Sequence, residues 1–174
     1  MKFLDFDKTF IIAEAGVNHN GKLDEAFKLV DIAKNCKADA IKFQTFKPSE
    51  ITTKYNENVE YVNKITDLSN FEMLENLALK YEEFVELNSY CKLKKILFLS
   101  TPDGSESLDF LVDELDVPII KIGSTEITNL EFLCEIAKKN KPIILSTGLS
   151  TLNEVQIAYK NIKKYNNKDI CVLH

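Results

Sequence analysis

The sequence has few of the residues that usually build a transition-metal site. Histidine occurs only as His19 and His174, and the four cysteines are scattered without any C-x-x-C pair. Zinc sites take most of their ligands from these two residue types. A metal site rich in His or Cys is therefore excluded, so any metal ligands have to be acidic or lie elsewhere. Scattered thiols of this kind are typical of a reduced, cytoplasmic protein.

The chain also lacks the features of a membrane protein or a nucleic-acid-binding protein. No apolar run comes near the ~18 residues that a transmembrane helix needs, and no signal peptide is recognisable. Acidic residues outnumber basic ones by 27 to 22, and the lysines are not gathered into a basic run. Neither a membrane nor a nucleic acid is expected as a partner.

A glycine-rich phosphate-binding turn is missing as well. None of the five glycines belongs to a G-x-G-x-x-G motif after a strand, which is the signature of doubly wound dinucleotide-binding folds. With 45% apolar and 28% charged residues, the 174-residue chain is nevertheless able to bury a substantial core. A single domain of a different α/β type is therefore expected.

What the sequence does contain is a regular alternation of short β-branched runs with longer amphipathic segments. Strands are predicted at 10–13, 40–46, 96–100, 119–122, 142–146 and 170–173. Helices are predicted at 24–36, from 105 to just before Pro118, and after two capping boxes at 128–131 and 151–154. Residues 47–69 are predicted to form a long loop, followed by one helix or two over 71–92.

This alternation of strand and helix predicts a parallel sheet covered by helices. Because the doubly wound signature is missing, we predict an α/β fold of the (β/α)8 TIM barrel type. Such a barrel takes roughly 200 residues or more, so residues 1–174 are expected to be a partial barrel domain, truncated after about six strands. A barrel of this length is not expected to close by itself.

Polar side chains lie at the carboxyl ends of the predicted strands, where a barrel of this type places its reacting groups. These side chains are Glu14, Lys42, Gln44, Ser100, Thr101, Lys121, Ser124, Ser146, Thr147 and His174. Glu14 directly follows an apolar run that we expect to be covered on both faces. Its carboxylate must therefore be solvated, paired or used in chemistry. An ordinary solvated acid at a strand end is the alternative.

Lys42 and Lys121 are the most informative of these residues. Each is flanked by apolar residues within a strand expected to be buried, and Gln44 shares the face of Lys42. Alternate strands fill one layer of a barrel, so the two ammonium groups are predicted to repel each other unless an anion lies between them. The alternative is a structural network in which each lysine pairs with Glu14 or Glu126.

Hydroxyl groups near the two lysines favour an anionic ligand. Thr101, Ser124 and Ser146 follow three of the strands and supply neutral hydrogen-bond donors. Helix N-termini predicted on the same face add positive dipole ends that suit phosphate. A phosphorylated or polycarboxylate substrate is therefore predicted, although a serine at such a position is also a common helix cap.

The polar strand ends belong to a series of longer motifs. These are AEAGVNHNG at 13–21, IKFQTF at 41–46, STP at 100–102, KIGSTE at 121–126, KPIILSTG at 141–148 and the closing VLH. In this order the motifs resemble the sialic acid (N-acetylneuraminate) synthase family, and the resemblance covers essentially the whole chain.

The resemblance implies a barrel transferase that condenses phosphoenolpyruvate with N-acetylmannosamine to N-acetylneuraminate and phosphate. A divalent metal, manganese or magnesium, is implied as its cofactor. Related members use other hexoses to make legionaminate or pseudaminate. The AEAGVNHNG motif resembles the neuraminate and legionaminate branches more than the pseudaminate branch.

The resemblance also implies roles for the residues that bind phosphoenolpyruvate. Carried over motif by motif, Lys42 and Lys121 would bind its phosphate and carboxylate. Thr101, Ser124 and Ser146 would donate further hydrogen bonds to the same substrate. These roles agree with the anionic ligand that the two buried lysines predict from the sequence pattern.

Other motif positions imply contacts to the second substrate. Glu14 would hold the open-chain N-acetylated hexose near its reacting carbonyl, and Gln44 would lie beside the enolpyruvate carbon that takes up water. Glu126 matches the acid that follows the KIGS motif. Thr125 stands where the family usually has glycine, which leaves the local backbone path and the aim of Ser124 open.

The family pattern also includes parts that we expect to be absent from these 174 residues. Full-length members continue with two further strands that carry the metal-binding histidines, and with an antifreeze-protein-like domain that reaches across a homodimer. The metal ligands are therefore expected to be missing. Two hypotheses follow, the N-terminal part of an active synthase or a non-catalytic fragment of one. A third is another barrel enzyme that uses phosphoenolpyruvate or an aldol step, such as the deoxy-sugar-acid phosphate synthases.

Overall fold

The computed structural model describes residues 8–54 and 68–174, in which strands and helices alternate. The strands are β1 (Ile12–Gly16), β2 (Ala40–Thr45), β3 (Leu97–Pro102), β4 (Ile120–Ile122), β5 (Ile143–Leu145) and β6 (Ile170–Val172). The helices are α1 (Leu23–Asn35), α2 (Pro48–Ile51), α3 (Asn70–Leu77), α4 (Tyr81–Lys94), α5 (Ser105–Asp109), α6 (Leu130–Lys138) and α7 (Leu152–Lys163). A π-helical turn (Phe110–Glu114) continues α5, and a 3-10 turn (Ser124–Glu126) follows β4.

The predicted order of elements is confirmed, with two helices, α3 and α4, over 71–92. The short helix α2 lies in the stretch predicted as a long loop, and residues 55–67 of that loop lie outside the described residues.

All strand pairs are parallel, and they form two three-stranded sheets in the orders β1-β2-β3 and β4-β5-β6. Strands β3 and β4, which belong to different sheets, lie against each other. The prediction of an α/β fold with parallel strands is therefore confirmed. The described strands do not form a closed barrel.

The strands present two different apolar faces. On one face, residues such as Ile41 and Phe43 are buried against the helices in the main core. On the other face, a smaller cluster consists of Ala40, Leu99, Ile119 and Ile144, with Ile12, Leu97 and Cys171 packed against it. Because both sheets contribute to this second cluster, they curve around a shared interior. Lys42 and Lys121 follow Ala40 and Ile119 by two residues, so their side chains point into the same interior.

The first strand differs from the prediction. It begins at Ile12 and runs to Gly16, with a bulge between Glu14 and Gly16. Phe10 and Ile11 precede it and are 37% and 54% exposed. A strand over 10–13 that is covered on both faces is therefore a wrong prediction, because half of the apolar run precedes the residues that pair with β2. Glu14 lies inside the strand, next to the bulge.

The starts of α6 and α7 show one wrong and one confirmed capping prediction. Thr151 forms the predicted box, since its Oγ1 accepts from the Glu154 N–H at 3.3 Å and the Glu154 carboxylate accepts from the Thr151 N–H at 2.7 Å. The box predicted at 128–131 is wrong, because α6 is capped by the Oδ1 of Asn129. The Asn129 N–H donates to the Glu126 carbonyl at 2.9 Å, which extends the preceding turn by one residue.

The four cysteines are free thiols, as their scattered positions in the sequence predict. Burial raises the pKa of Cys91 to about 12. A thiol with so high a pKa stays protonated and unreactive near neutral pH.

In the ranges 8–54 and 68–174, no helix has the length and apolarity to cross a membrane.

Candidate anion-binding site

The register of the first sheet brings Lys42 to Glu14 and Thr101. Glu14 and Lys42 are partners in the β1–β2 ladder, and the Lys42 ammonium lies 2.9 Å from Glu14 Oε2. The same ammonium donates to Thr101 Oγ1 at 3.1 Å. Lys42 is only 7% exposed, whereas the Glu14 side chain is 58% exposed. The pair therefore joins a buried ammonium group to a carboxylate that reaches solvent.

In the second sheet, the hydrogen-bond partners of Lys121 among the described residues are neutral. This residue is 6% exposed, and its Nζ donates to Ser146 Oγ at 2.6 Å and to the Ile122 carbonyl at 2.7 Å. No ion pair found among the described residues includes Lys121. Its charge is therefore buried without a directly paired carboxylate.

The two lysines are close enough to perturb each other. The pKa of Lys121 is lowered to about 8, mainly by burial and then by the positive charge of Lys42, while Glu14 and Asp103 act in the opposite direction. The structural-network alternative predicts a carboxylate partner for both lysines, and only Lys42 has one in the described part of the chain. The structure thus brings two buried ammonium groups together with one unpaired positive charge.

The turn after β4 holds Ser124, Thr125 and Glu126. Glu126 is half-buried, and its carboxylate accepts from the Asn129 side-chain amide at 2.8 Å and from Thr125 Oγ1 at 3.3 Å. Thr125 is not among the described residues with a positive φ. A residue with a side chain therefore fits this backbone, which answers the question raised by threonine at a position where glycine is usual.

Each of two cavities has a wall next to the lysine pair. One, of about 360 Å³, is lined by Ser124, Ser146, Thr147, Gly148, Leu173 and His174. It includes the hydroxyl that binds Lys121. The other, of about 490 Å³, is acidic and is lined by Glu50, Ile51, Asp103, Gly104, Ser105, Glu126, Asn129, Glu131, Phe132 and Glu135. The first cavity therefore has a hydroxyl group bonded to Lys121, and the second has Asp103, which interacts electrostatically with both lysines.

Sequence reasoning missed Asp103 as a site residue. Burial and, to a smaller extent, the charge of Glu126 raise the pKa of Asp103 to about 6, although the charges of Lys42 and Lys121 lower it. The available signal was its position three residues after the predicted strand at 96–100, near the carboxyl end where a barrel places its reacting groups.

Of two further polar strand ends, Ser100 lies away from the lysine contacts and Gln44 lies on the face of Lys42. Ser100 was expected at the reacting face, but its Oγ lies 2.7 Å from Thr45 Oγ1 and is buried on the opposite side of the sheet. This expectation is wrong because the period of two directs Thr101, not its neighbour, into the interior. Gln44 is half-buried on the face of Lys42 and is the ladder partner of Thr101.

The described residues do not fit a metal site. Across 8–54 and 68–174, no three His, Cys, Asp or Glu side chains gather so that they could hold an ion. His19 is buried, and its Nδ1 accepts from the Gly21 N–H at 3.1 Å. Burial also lowers the pKa of His19.

Gly148 is expected to be required for the placement of Ser124. It has a φ of +53°, and a Cβ at this position would lie 2.6 Å from the Ser124 Cβ and 2.8 Å from its Oγ. Gly148→Ala is expected to lower the free energy of unfolding by at least about 2 kcal/mol, from backbone strain and overpacking together. Urea denaturation measures this loss.

Gly123→Ala is the matched control, because this glycine has a φ of −68° and a Cβ would meet nothing closer than 3.4 Å. Its free energy of unfolding should change by less than about 1 kcal/mol. Equal losses in the two variants would contradict the role given to Gly148.

Comparison with known proteins decides the family. The model of the NeuB family matches residues 29–174. This chain belongs to the NeuB family. The N,N'-diacetyllegionaminic acid synthase of Campylobacter jejuni is 46% identical over 171 residues, which are 96% of this chain and 51% of that protein. The synthase of the same name from Legionella pneumophila is 44% identical over 158 residues, covering 90% of this chain and 44% of that protein.

A solved structure supports the same assignment of this NeuB family chain. The N-acetylneuraminic acid (sialic acid) synthetase of Leptospira borgpetersenii, crystallised in complex with citrate, matches with a TM-score of 0.79 and 34% identity. The match covers 95% of this chain and 53% of that chain. The resemblance to sialic acid synthases is thereby confirmed, and the chain spans about half the length of the relatives it matches.

Proposed function

We propose that this NeuB family chain binds phosphoenolpyruvate at Lys42 and Lys121, as the part of a nonulosonate synthase that holds this substrate. The observation that carries the proposal is the pair of buried ammonium groups, of which Lys121 has no carboxylate partner among the described residues. Two buried positive charges at short range destabilise each other, and a bound anion removes this repulsion. Phosphoenolpyruvate offers two anionic groups, one for each lysine.

The hydroxyl groups at the site support the same assignment. Lys42 donates to Thr101 Oγ1 and Lys121 donates to Ser146 Oγ, so each hydroxyl already uses an acceptor lone pair. Its own hydrogen is left to be donated to an oxygen of the substrate. Ser124 lines the same cavity as Ser146 and adds a third hydroxyl. Charge-assisted and neutral hydrogen bonds together would hold both anionic groups of the substrate.

The proposed reaction forms a carbon–carbon bond and releases phosphate. The enol carbon C3 attacks the aldehyde carbon of the hexose, whose oxygen takes up a proton, while positive charge develops at C2. Water then adds to C2, and the C–O bond to phosphate breaks to leave a nine-carbon 2-keto acid. Glu14 would orient the hexose, and Gln44 would lie beside C2. Lys42 and Lys121 would stabilise the phosphate and carboxylate charges throughout.

For the hexose we propose a sugar with two acetamido groups. The relatives at 46% and 44% identity are named as N,N'-diacetyllegionaminic acid synthases, whereas the sialic acid synthetase is 34% identical. Phosphoenolpyruvate adds three carbons and no nitrogen, so both acetamido groups of such a product must come from the hexose. N-acetylmannosamine, giving N-acetylneuraminate, is the second candidate.

We propose that the described strands are six of the eight strands of a (β/α)8 barrel. Two observations support this: the two sheets curve around one interior, and the chain matches the sialic acid synthetase of Leptospira borgpetersenii, which is about twice as long, with a TM-score of 0.79. A homodimer and a cytoplasmic location follow from the family resemblance, and free thiols agree with that location.

Calorimetric titration of the 174-residue chain with phosphoenolpyruvate tests the proposed function. Saturable binding is expected, with weaker binding of pyruvate, which lacks the phosphate group, and of inorganic phosphate, which lacks the carboxylate. Absence of saturable binding would contradict the proposal. Equal affinity for the three compounds would contradict the assignment of one anionic group to each lysine.

Phosphoenolpyruvate binding is expected to weaken as the pH rises above 8. The pKa of Lys121 is lowered to about 8, so the ammonium form that attracts an anion is present below this pH and is lost above it. The loss of this ammonium form should by itself raise the dissociation constant by up to about tenfold per pH unit in that range. The charge of the substrate is constant there, because the second pKa of a phosphate ester is about 6.

Lys121→Arg is the matched control for this pH dependence, since a guanidinium stays charged across the whole range. Its affinity should fall less steeply with pH above about pH 8 than that of the unmodified chain, because the contribution of Lys121 is removed. An identical pH slope in the unmodified chain and in this variant would show that another group is responsible.

A further inference from the structure

Asp103 occupies a fixed position beside the proposed phosphoenolpyruvate site. It directly follows β3, and its N–H donates to the Thr45 carbonyl at the end of β2 at 3.0 Å. Its side chain is half-buried and lines the acidic cavity together with Glu126. This hydrogen bond between neighbouring strand ends fixes the backbone position of Asp103, and its carboxyl group interacts electrostatically with Lys42 and Lys121.

The charges that face Asp103 come from several elements. Lys42 of β2 and Lys121 of β4 are within electrostatic range, and Glu126 approaches from the turn after β4. Glu14 of β1 is already engaged with Lys42. The same cavity wall adds the carboxylates Glu50, Glu131 and Glu135. Among the described residues, no ion pair includes Asp103.

Binding of an anion changes the balance of charge at this position. In the free protein the two ammonium groups favour the charged form of Asp103, although burial and Glu126 already raise its pKa to about 6. A substrate with a phosphate and a carboxylate group neutralises both lysines and places further negative charge nearby. A buried carboxylate in such surroundings is less costly in its protonated form.

We propose that Asp103 takes up one proton from solvent when phosphoenolpyruvate binds at Lys42 and Lys121. Asp103 is then a neutral carboxylic acid, able to donate a hydrogen bond towards the bound anion. Substrate binding by this chain is thus coupled to protonation. The inference rests on the proposed phosphoenolpyruvate site and assigns to it a residue that binds a proton together with the substrate.

The proton uptake is measured by titrating the chain with phosphoenolpyruvate near pH 7 in two buffers of different ionisation enthalpy. The difference in observed heat gives the number of protons taken up. About 0.9 proton is expected for the unmodified chain, because a group with a pKa of about 6 is already slightly protonated at this pH. Asp103→Asn is expected to abolish most of this uptake and to bind phosphoenolpyruvate several-fold more tightly above pH 7.

Glu131→Gln is the matched control, since Glu131 lines the same cavity but is not among the groups that perturb Asp103. It should keep the proton uptake of the unmodified chain. Binding without proton uptake in the unmodified chain would overturn the role of Asp103 and leave the phosphoenolpyruvate site intact, even if Asp103→Asn did not fold. Unchanged uptake in Asp103→Asn would also overturn it. Absence of phosphoenolpyruvate binding by the unmodified chain would overturn both proposals.

Discussion

Lys121→Ala is expected to weaken phosphoenolpyruvate binding by roughly ten- to a hundredfold, which corresponds to about 1.5–3 kcal/mol for a charge-assisted contact to a buried anion. Lys121 is the ammonium group without a carboxylate partner among the described residues, so its attraction is fully available to a ligand. Calorimetric titration near neutral pH measures the change in dissociation constant.

The control for this substitution is Lys28→Ala. Lys28 is exposed on α1 and pairs with Glu25, three residues before it. Its removal should leave the affinity for phosphoenolpyruvate unchanged. If Lys121→Ala and Lys28→Ala bound the substrate equally well, the proposed site would be wrong.

Lys42→Ala tests the coupling between the two lysines. It should also weaken phosphoenolpyruvate binding, and it removes a positive charge that lowers the pKa of Lys121. The loss of affinity at high pH should therefore begin at a higher pH than in the unmodified chain. Glu14, whose side chain is 58% exposed, returns to solvent at little cost.

The second large effect concerns turnover. The 174-residue chain is expected to release no phosphate from phosphoenolpyruvate and an N-acetylated hexose, even with manganese present. Its described strands form two open three-stranded sheets, and its described residues gather no metal-binding group. A phosphate-release assay, with the Campylobacter jejuni relative as the positive control, measures the difference.

Addition of the remaining half of that relative as a separate polypeptide tests whether the chain is one part of an active synthase. Unpaired strand edges are templates for association, so docking onto β1 and β6 would extend both sheets. Restored phosphate release would favour the hypothesis of an active synthase over that of a non-catalytic fragment. Rapid turnover by the 174-residue chain alone would contradict the expected need for a closed barrel.

Much of the architecture could be predicted from local pattern. The alternation of β-branched runs with amphipathic segments predicted the parallel α/β order, and the period of two placed Lys42 and Gln44 on one face of β2. Apolar neighbours on both sides of Lys121 predicted its burial, which the structure shows. These features depend on residues close in sequence, so the sequence carries them directly.

Other features depended on the exact residue at which an element begins. The apolar residues Phe10 and Ile11 precede the strand because pairing with β2 begins at Ile12. The cap of α6 is Asn129 and not the predicted residue 128, because the Asn129 N–H is still bonded within the preceding turn. A shift of one residue changes which side chain faces the core or caps a helix, and the residue types alone do not decide between such neighbours.

The sequence by itself determined the order of strands and helices, the motifs of the NeuB family and the burial of two lysines within apolar strands. Only the tertiary structure decided that Lys42 is paired with Glu14 while Lys121 is not, and that Asp103 lies within electrostatic range of both. These relations join residues as far apart as Glu14 and Lys121. They follow from strand register and sheet curvature, because electrostatic interaction depends on distance in space and on burial, not on separation along the chain.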